Sequence, residues 1–163
     1  MYFNANKQIS VYTHHKIKTV VDGDGMIVYN IFNKKETEIR LLGIDAPETK
    51  VSKKLKQDER ELHLPGQLLI ELGNISWKFL FDLVPKETDI TFITEIDNEI
   101  DLFGRTLAYV FTNEKICINE ILIKEGYAKP YNKYYSTQLN SYQQLNFLAK
   151  TQKKGLYEKV NTF

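Results

Sequence analysis

Residues 19–29 read Thr-Val-Val-Asp-Gly-Asp-Gly-Met-Ile-Val-Tyr, two apolar runs separated by Asp22-Gly23-Asp24-Gly25. Asp-Gly between alternating apolar residues is a strong signal for a β-hairpin, because both residues tolerate the backbone angles of a tight turn. A turn does not require the second aspartate, however. Two carboxylates held close together repel each other unless a cation or an arginine lies between them. The stretch therefore predicts a hairpin and leaves open what its second acid binds.

The chain after the hairpin predicts a third strand that carries a charge among apolar residues. Residues 37–44 have strand composition, and Arg40 alternates onto the same side as two apolar residues, where a charge needs a partner. Pro47 stops the ladder, because proline restricts the residue before it and has no N–H to donate. The carboxylates of Asp45 and Glu48 follow at this strand end.

The remaining segments predict a single α+β domain over residues 1–163, with a flexible arm at 1–8 and a tail at 157–163. The sequence has strand composition at 89–96 and 104–112, and helical periodicity or capping signals at 66–83, 119–125 and 136–154, with a loop and short helix within 50–65. Five strands interrupted by about three helices favour a small antiparallel β-barrel as the most economical closure.

Composition bounds the function only loosely. Lysine and arginine number 22 against 21 aspartate and glutamate, so the formal charge of +1 does not by itself indicate a nucleic-acid binder. The single cysteine, Cys117, excludes an internal disulfide. No stretch approaches the roughly 20 apolar residues of a membrane span, and residues 1–7 lack the apolar core of a signal peptide. A secreted form with its signal removed and a cytoplasmic protein are both compatible with this sequence.

Acids and arginines gather where strands are predicted to end. The set comprises Asp24, Arg40, Asp45, Glu48 and Arg105. Carboxylate oxygens are the ligands of Ca²⁺ and Mg²⁺, and arginine forks match the oxygens of a phosphate. A carboxylate near such a metal can accept the proton of an attacking water. The set therefore points to hydrolysis of a phosphodiester.

Each member of this set also has a structural interpretation. Arg40 could pair with Glu38 or Asp24 at the barrel rim, and Arg105 could be a surface strand residue. Asp45 and Glu48 could instead cap the helix that follows. Other catalytic motifs are absent from the sequence: an EF-hand loop fails at positions 26 and 27, and the three histidines are too scattered for a metal site.

Three segments in this order resemble the staphylococcal nuclease family: Val21-Asp22-Gly23-Asp24, Arg40-Leu41-Leu42-Gly43-Ile44-Asp45-Ala46-Pro47-Glu48-Thr49 and Gly104-Arg105-Thr106-Leu107-Ala108-Tyr109. Residues 120–129 also resemble the family's helix before a tyrosine-rich loop. The second segment is the most specific of the four. The resemblance implies an OB-fold five-stranded antiparallel barrel and a Ca²⁺-dependent phosphodiesterase that hydrolyses DNA and RNA, leaving 3′-phosphate ends.

The resemblance also implies a metal site. Asp24 and Asp45 would supply carboxylates to Ca²⁺, and Ala46 would supply its backbone carbonyl at a position where the family often has threonine. Because a backbone carbonyl does not depend on the side chain, alanine should suffice there.

The same resemblance assigns the reacting groups. Glu48 would orient or deprotonate the attacking water, and Arg40 and Arg105 would clamp the scissile phosphate. Tyr131 or Tyr134 could stack on a base of the substrate, or the ten tyrosines of the chain could instead mostly pack the surface of the barrel. We expect a DNA or RNA substrate, preferably single-stranded, and a monomeric protein without a membrane partner.

The sequence departs from the family pattern in three places. Gly25 replaces a threonine, Leu102 and Phe103 stand where a lysine and a tyrosine contact a terminal phosphate, and residues 50–86 are longer than in compact members. The alternative function is a non-catalytic module of the OB type that binds nucleic acid or peptide. Such a module would be free to lose the acid and arginine set, which this chain retains.

Overall fold

The computed structural model describes residues 7–163, so residues 1–6 of the predicted arm lie outside the described part of the chain. Within that part, seven strands accompany four α-helices and one 3₁₀ helix. In chain order the elements are β1 Ile9–Asp22, β2 Gly25–Asn30, β3 Glu36–Leu41, β4 Ile44–Asp45, α1 Lys53–Leu62, α2 Gly66–Leu83, β5 Asp89–Glu95, β6 Thr106–Thr112, α3 Ile118–Lys124, β7 Lys129–Pro130, α4 Leu139–Thr151 and the 3₁₀ helix Gly155–Glu158.

Five strands form a mixed sheet that closes on itself as a small barrel, in the order β1-β2-β3-β6-β5. The prediction of an all-antiparallel barrel is wrong, because β3 and β6 run parallel, with Ile39 opposite Thr106. A parallel pair needs a long connection between its strands. Here α1, α2 and β5 supply that connection and return the chain beside β3.

The structure has one α-helix more than the three predicted. The additional helix is α1, which lies in the polar segment 50–65 that predicted a loop and a short helix. Ser52 caps α1, since its side-chain oxygen accepts a hydrogen bond of 3.0 Å from the backbone N–H of Leu55. This bond satisfies one of the donors that a helix start leaves free. None of the helices within residues 7–163 is both long and apolar enough to cross a membrane.

The main core fills the barrel and the space beneath α2 and α3. α2 is joined to the barrel wall by the Trp77 indole, which donates to the carbonyl of Val20 at 3.0 Å. A second cluster lies at the end of the chain, where Phe163 packs at 4.8 Å between ring centroids from Tyr157.

The Asp-Gly hairpin forms as predicted, but for a different reason. Asp22 pairs with Gly25 across the turn, and the Asp22 carboxylate accepts from the backbone N–H of Asp24 at 3.2 Å. Neither glycine adopts the left-handed φ. Instead, a Cβ on Gly23 would lie 2.7 Å from the Cβ of Ala46 and 2.8 Å from that of Ser76. Gly23 therefore allows the turn to pack against α2 and the end of β4.

α2 makes a second close approach at Gly73, in its middle. A Cβ there would lie 2.3 Å from the carbonyl oxygen of Glu48 and 2.7 Å from that of Pro47. Both atoms belong to the backbone and cannot rotate away. The absence of a side chain at Gly73 therefore sets the position of the segment that carries Glu48.

We predict that Gly73→Ala destabilises the protein, although alanine favours helices more than glycine does. The added methyl must displace backbone, which costs about 1–3 kcal/mol in a packed core. Denaturant unfolding measures this free energy. Asn74→Ala is the matched control, since Asn74 is the next residue of the same helix and is exposed. Equal stability of the two variants would contradict the close packing of Gly73.

Candidate active site

Arg40 is buried in the barrel wall, with 6% of its surface exposed, and its guanidinium makes three hydrogen bonds and one further ion pair. Its Nη1 donates to the carbonyl oxygens of Leu41 at 3.1 Å and Ile44 at 2.9 Å. Its Nη2 donates to Oδ1 of Asp45 at 3.1 Å, and Nη1 lies 3.3 Å from Oδ2 of Asp24. The planar guanidinium therefore bridges two carboxylates, a geometry that a lysine could not reproduce.

Backbone pairing brings the two acids to this arginine. Gly25 lies opposite Arg40 in the β2–β3 ladder, so the hairpin turn projects beside the end of β3. The carbonyl of Asp24 accepts from Leu41 N at 2.9 Å, and its Oδ2 accepts from Ala46 N at 2.9 Å. The second aspartate of the hairpin thus binds the arginine and the backbone of the next strand end.

The cluster carries more negative charge than Arg40 offsets. Burial, opposed by the charge of Arg40 and aided by that of Asp22, raises the pKa of Asp24 to about 6. A raised pKa means that the folded protein disfavours the ionised form of this carboxyl. A further positive charge at this place would therefore be stabilised.

Lys54 supplies part of that positive charge, although it is not among the candidate site residues taken from the sequence. Its Nζ lies 2.9 Å from Oδ2 of Asp45 and 2.9 Å from Oδ2 of Asp58. Although burial opposes it, these two carboxylates raise the pKa of Lys54, so it remains charged. The available signal was the spacing of Lys54 and Asp58, one turn apart on a capped helix.

Glu48 lies at the edge of the cluster and is half-buried. Its Oε2 accepts a hydrogen bond of 3.2 Å from the hydroxyl of Ser52, the residue that also caps α1. Burial raises the pKa of Glu48, with the charge of Lys54 acting in the opposite direction. The raised pKa brings this carboxyl closer to the range in which a general base works at neutral pH.

The two predicted stacking tyrosines line one small recess together with Arg40. The ring centroid of Tyr131 lies 5.6 Å from the guanidinium carbon of Arg40 and 5.9 Å from Nζ of Lys54. The hydroxyl of Tyr134 instead accepts from the backbone N–H of Leu102 at 3.2 Å. Tyr131 is therefore adjacent to the charged cluster, while Tyr134 contacts the loop before β6.

Arg105 is held on that loop by a different acid. Its Nε donates to Oδ2 of Asp101 at 2.8 Å, and its guanidinium carbon lies 5.6 Å from the ring centroid of Phe103. The other oxygen of Asp101 accepts from the backbone N–H groups of Phe103 and Arg105, both at 2.9 Å. Asp101, which is not among the candidate site residues taken from the sequence, orients the arginine.

The oxygen atoms of the cluster are of the type that binds a hard cation, although they are few in number. Among residues 7–163, no group of three or more histidine, cysteine, aspartate or glutamate side chains is arranged to hold a metal. The predicted ligands comprise two carboxylates and one carbonyl, from Asp24, Asp45 and Ala46. They are hard oxygen atoms beside an incompletely compensated negative charge, so this chemistry fits Ca²⁺ with water completing its shell.

The chain thus has an α+β barrel with buried acids clustered around an arginine at one end. The family model described as "Staphylococcal nuclease homologue" matches residues 38–159, most of the chain. The chain belongs to this family.

Several curated relatives extend the comparison. The chain is 35% identical over 141 residues to an uncharacterized protein of Methanocaldococcus jannaschii, covering 80% of this chain and 66% of the relative. It is 32% identical over 133 residues to the thermonuclease of Staphylococcus hyicus, covering 77% and 61%. It is 28% identical over 144 residues to an uncharacterized endonuclease of Escherichia coli O157:H7, covering 88% and 76%. The chain thus spans about two thirds of the length of these relatives.

We predict that Asp24→Asn changes how stability depends on pH in the presence of a chelator. Because the folded-state pKa of Asp24 is raised to about 6, its ionisation weakens the folded state as the pH rises from about 4 through 6. The free energy of unfolding of the wild type, relative to the variant, should fall by about 2–3 kcal/mol between pH 4 and pH 7.

Denaturant unfolding at a series of pH values measures this difference. Asp82→Asn is the control, since Asp82 is exposed and pairs only with Lys78 one turn away among the described contacts. A relative stability of the wild type that rises between pH 4 and pH 7 would contradict the electrostatics of the cluster.

Proposed function

We propose that the protein is a Ca²⁺-dependent phosphodiesterase that hydrolyses DNA and RNA to products with 3′-phosphate ends. The observation that carries the proposal is the buried guanidinium of Arg40 between the carboxylates of Asp24 and Asp45, with Glu48 at the edge. Family membership, together with relatives named thermonuclease and endonuclease, supports a nuclease in general.

Asp24, Asp45 and the carbonyl of Ala46 would hold the metal. When bound, Ca²⁺ supplies charge neutralisation at the phosphate and lowers the pKa of a nearby water. Because burial raises the pKa of Asp24, its ionised form is incompletely compensated in the folded protein, and a cation beside it would be stabilised. Lys54 donates to Oδ2 of Asp45, while Arg40 donates to Oδ1. Lys54 therefore offsets part of the negative charge that a bound metal would otherwise neutralise.

Glu48 accepts the proton in the proposed reaction. The oxygen of a water attacks phosphorus and forms a new P–O bond, while one of its protons passes to the carboxylate of Glu48. The bond from phosphorus to the 5′ oxygen breaks, and that oxygen takes a proton from solvent. The products are a 3′-phosphate and a 5′-hydroxyl. Ser52 positions the acceptor, because it donates to the same carboxylate.

The two arginines bind the phosphate in this proposal. Asp101 fixes the Nε edge of Arg105, and the terminal nitrogens of that guanidinium can donate to phosphate oxygens. Arg40 is anchored by two backbone carbonyls, so its charge stays in place while substrates exchange. Donors held in advance at developing charge stabilise the transition state more than the ground state.

The substrate in this proposal is a single strand bound by a monomer. The ring of Tyr131 stands over the charges of Arg40 and Lys54, where a base next to the scissile phosphate would stack. Stacking of a base on an aromatic ring requires that the base leaves its duplex partner, which favours single strands.

We predict that Glu48→Gln lowers kcat on single-stranded DNA by roughly a hundredfold or more, because the proton acceptor is lost. The change is isosteric, so the affinity for DNA and the fold should be retained. Turnover in Ca²⁺ measures this effect, with the wild type in a chelator as the metal-free reference. The control is Glu71→Gln, an exposed glutamate on α2.

Three outcomes of this assay are informative. Activity that needs Ca²⁺ and disappears in Glu48→Gln would support a Ca²⁺-dependent nuclease in which Glu48 acts. Full activity in Glu48→Gln would remove Glu48 from the mechanism. Binding of DNA without cleavage in any divalent metal would instead identify the chain as a non-catalytic binding module.

We also predict that Arg105→Ala lowers kcat more than it raises KM, because the lost contact acts mainly in the transition state. Steady-state kinetics on one oligonucleotide separates the two parameters. Arg60→Ala is the control, since Arg60 is exposed on α1 and bonds only to the backbone of its own helix among the described contacts. A change in KM alone would assign Arg105 to ground-state binding.

A further inference from the structure

A pocket of about 320 Å³ opens at the end of the barrel away from the hairpin turn, and the proposed reaction does not use it. We call it the barrel-end pocket. Its wall contains Tyr12 and His15 from β1 and Phe92 and Thr94 from β5. A volume of this size is typical of sites for small organic groups.

Three rings form one side of the barrel-end pocket. Tyr12 stacks on Phe92 with ring centroids 4.7 Å apart, and His15 meets Phe92 edge-on at 4.9 Å. A regular strand would direct Tyr12 and His15 to opposite faces, because they are three residues apart. The β1–β5 register shifts between them, and His14 takes a left-handed φ of 59°. This bulge turns both rings into the same pocket, as bulges beside binding sites do.

Two polar groups in the pocket wall are buried and available. Thr94 is 2% exposed, and its hydroxyl has no hydrogen-bond partner in the described part of the chain. A buried polar group without a partner is costly, so it indicates a missing ligand or water. His15 is 8% exposed, and its Nδ1 is bonded to the carbonyl of Thr13 at 2.7 Å. The proton therefore lies on Nδ1, which leaves Nε2 as an acceptor.

Aromatic faces with one hydroxyl and one acceptor nitrogen match a nucleobase, which offers a flat ring and a polar edge. The pocket also borders the candidate phosphate clamp. Thr37 and Thr106 line the pocket, while their neighbours Glu38 and Arg105 line the adjacent depression together with Phe103. Arg105 directly precedes Thr106, and Glu38 directly follows Thr37, so neighbouring residues at the start of β6 and in β3 line the two depressions.

We propose that the barrel-end pocket is a subsite that holds an unstacked nucleobase of the strand whose phosphate is bound by Arg105. The inference rests on the proposed function, since it takes a nucleic-acid strand at Arg105 as given. The exposed Lys35 at the pocket rim would attract the phosphate attached to that base. The subsite extends the bound length of the substrate beyond the nucleotides at the charged cluster.

The test compares Thr94→Val with Thr91→Val, both in a Glu48→Gln background that should leave the DNA intact. Valine has the shape of threonine, so loss of an unpartnered hydroxyl should not lower stability, which a thermal melt checks. Thr91 lies on the same strand and alternates away from Thr94. The probes are a short single-stranded DNA oligonucleotide, an abasic strand of the same length and a free deoxynucleoside monophosphate.

We expect Thr94→Val to weaken binding of the base-bearing strand by about 3- to 10-fold, the effect of one neutral hydrogen bond. Binding of the abasic strand should not change, and Thr91→Val should bind all probes as the parent does. The base-bearing strand should also shift the NMR signals of the His15 ring in the parent protein. The subsite would be overturned if Thr94→Val bound every probe with the same affinity as the parent. It would also be overturned if the base-bearing strand did not shift the NMR signals of the His15 ring.

Two further outcomes distinguish the strand subsite from a site for a free nucleotide and from the proposed nuclease activity. A free mononucleotide that shifts the His15 ring when the strand does not would assign the pocket to a free nucleotide and overturn the strand subsite. The binding assay does not depend on cleavage. If the wild type does not cleave DNA but Thr94→Val still weakens binding of the base-bearing strand, the subsite is supported and the nuclease proposal is contradicted. If the wild type cleaves DNA but Thr94→Val leaves the affinity unchanged, the nuclease is supported and the subsite is contradicted.

Discussion

Arg40 joins three parts of the chain that would otherwise carry uncompensated charge or unpaired backbone. Its guanidinium holds the end of β3, the short strand β4 and the hairpin turn through two carbonyls and two buried carboxylates. Removing one partner of a buried charge cluster leaves the others unpaired, at a cost of about 3–5 kcal/mol. The same contacts keep Asp24 and Asp45 facing each other, so the stability of this end of the barrel and the chemistry of the site depend on one side chain.

α2 holds that arrangement in place from outside the barrel. Gly23 lets the hairpin turn approach Ser76, and Gly73 lets the helix backbone approach the carbonyl of Glu48. Without side chains at these two positions, the helix contacts both segments that carry acids. The distance between the proposed metal ligands and the proposed base is therefore set by packing against a rigid helix rather than by a loop.

The structural and the catalytic interpretations of the charged residues turn out to be compatible at Arg40. Its predicted structural partner Asp24 is observed, while the alternative partner Glu38 lies with Arg105 instead. The predicted capping role of Asp45 and Glu48 is wrong, because Ser52 caps α1. Asp45 instead contacts Arg40, and Glu48 lies at the edge of the same charged cluster. The hairpin and helix α2 are confirmed, and the third strand is confirmed in part, because β3 begins at Glu36 but ends at Leu41, three residues before the predicted end at 44. The confirmed elements are encoded by periodicity and turn residues that lie close together in the chain.

The sequence by itself determined the local elements and the family segments, because strand alternation, helical spacing and turn chemistry act over a few residues. Only the tertiary structure decided the contacts between distant segments. It paired β3 with β6 in parallel, placed Lys54 on Asp45, and set Asp101 to hold Arg105. It also turned Tyr12 and His15 into one pocket through a bulge. Such contacts depend on which surfaces are buried together and where buried charges find partners, and no local pattern of residues carries that information.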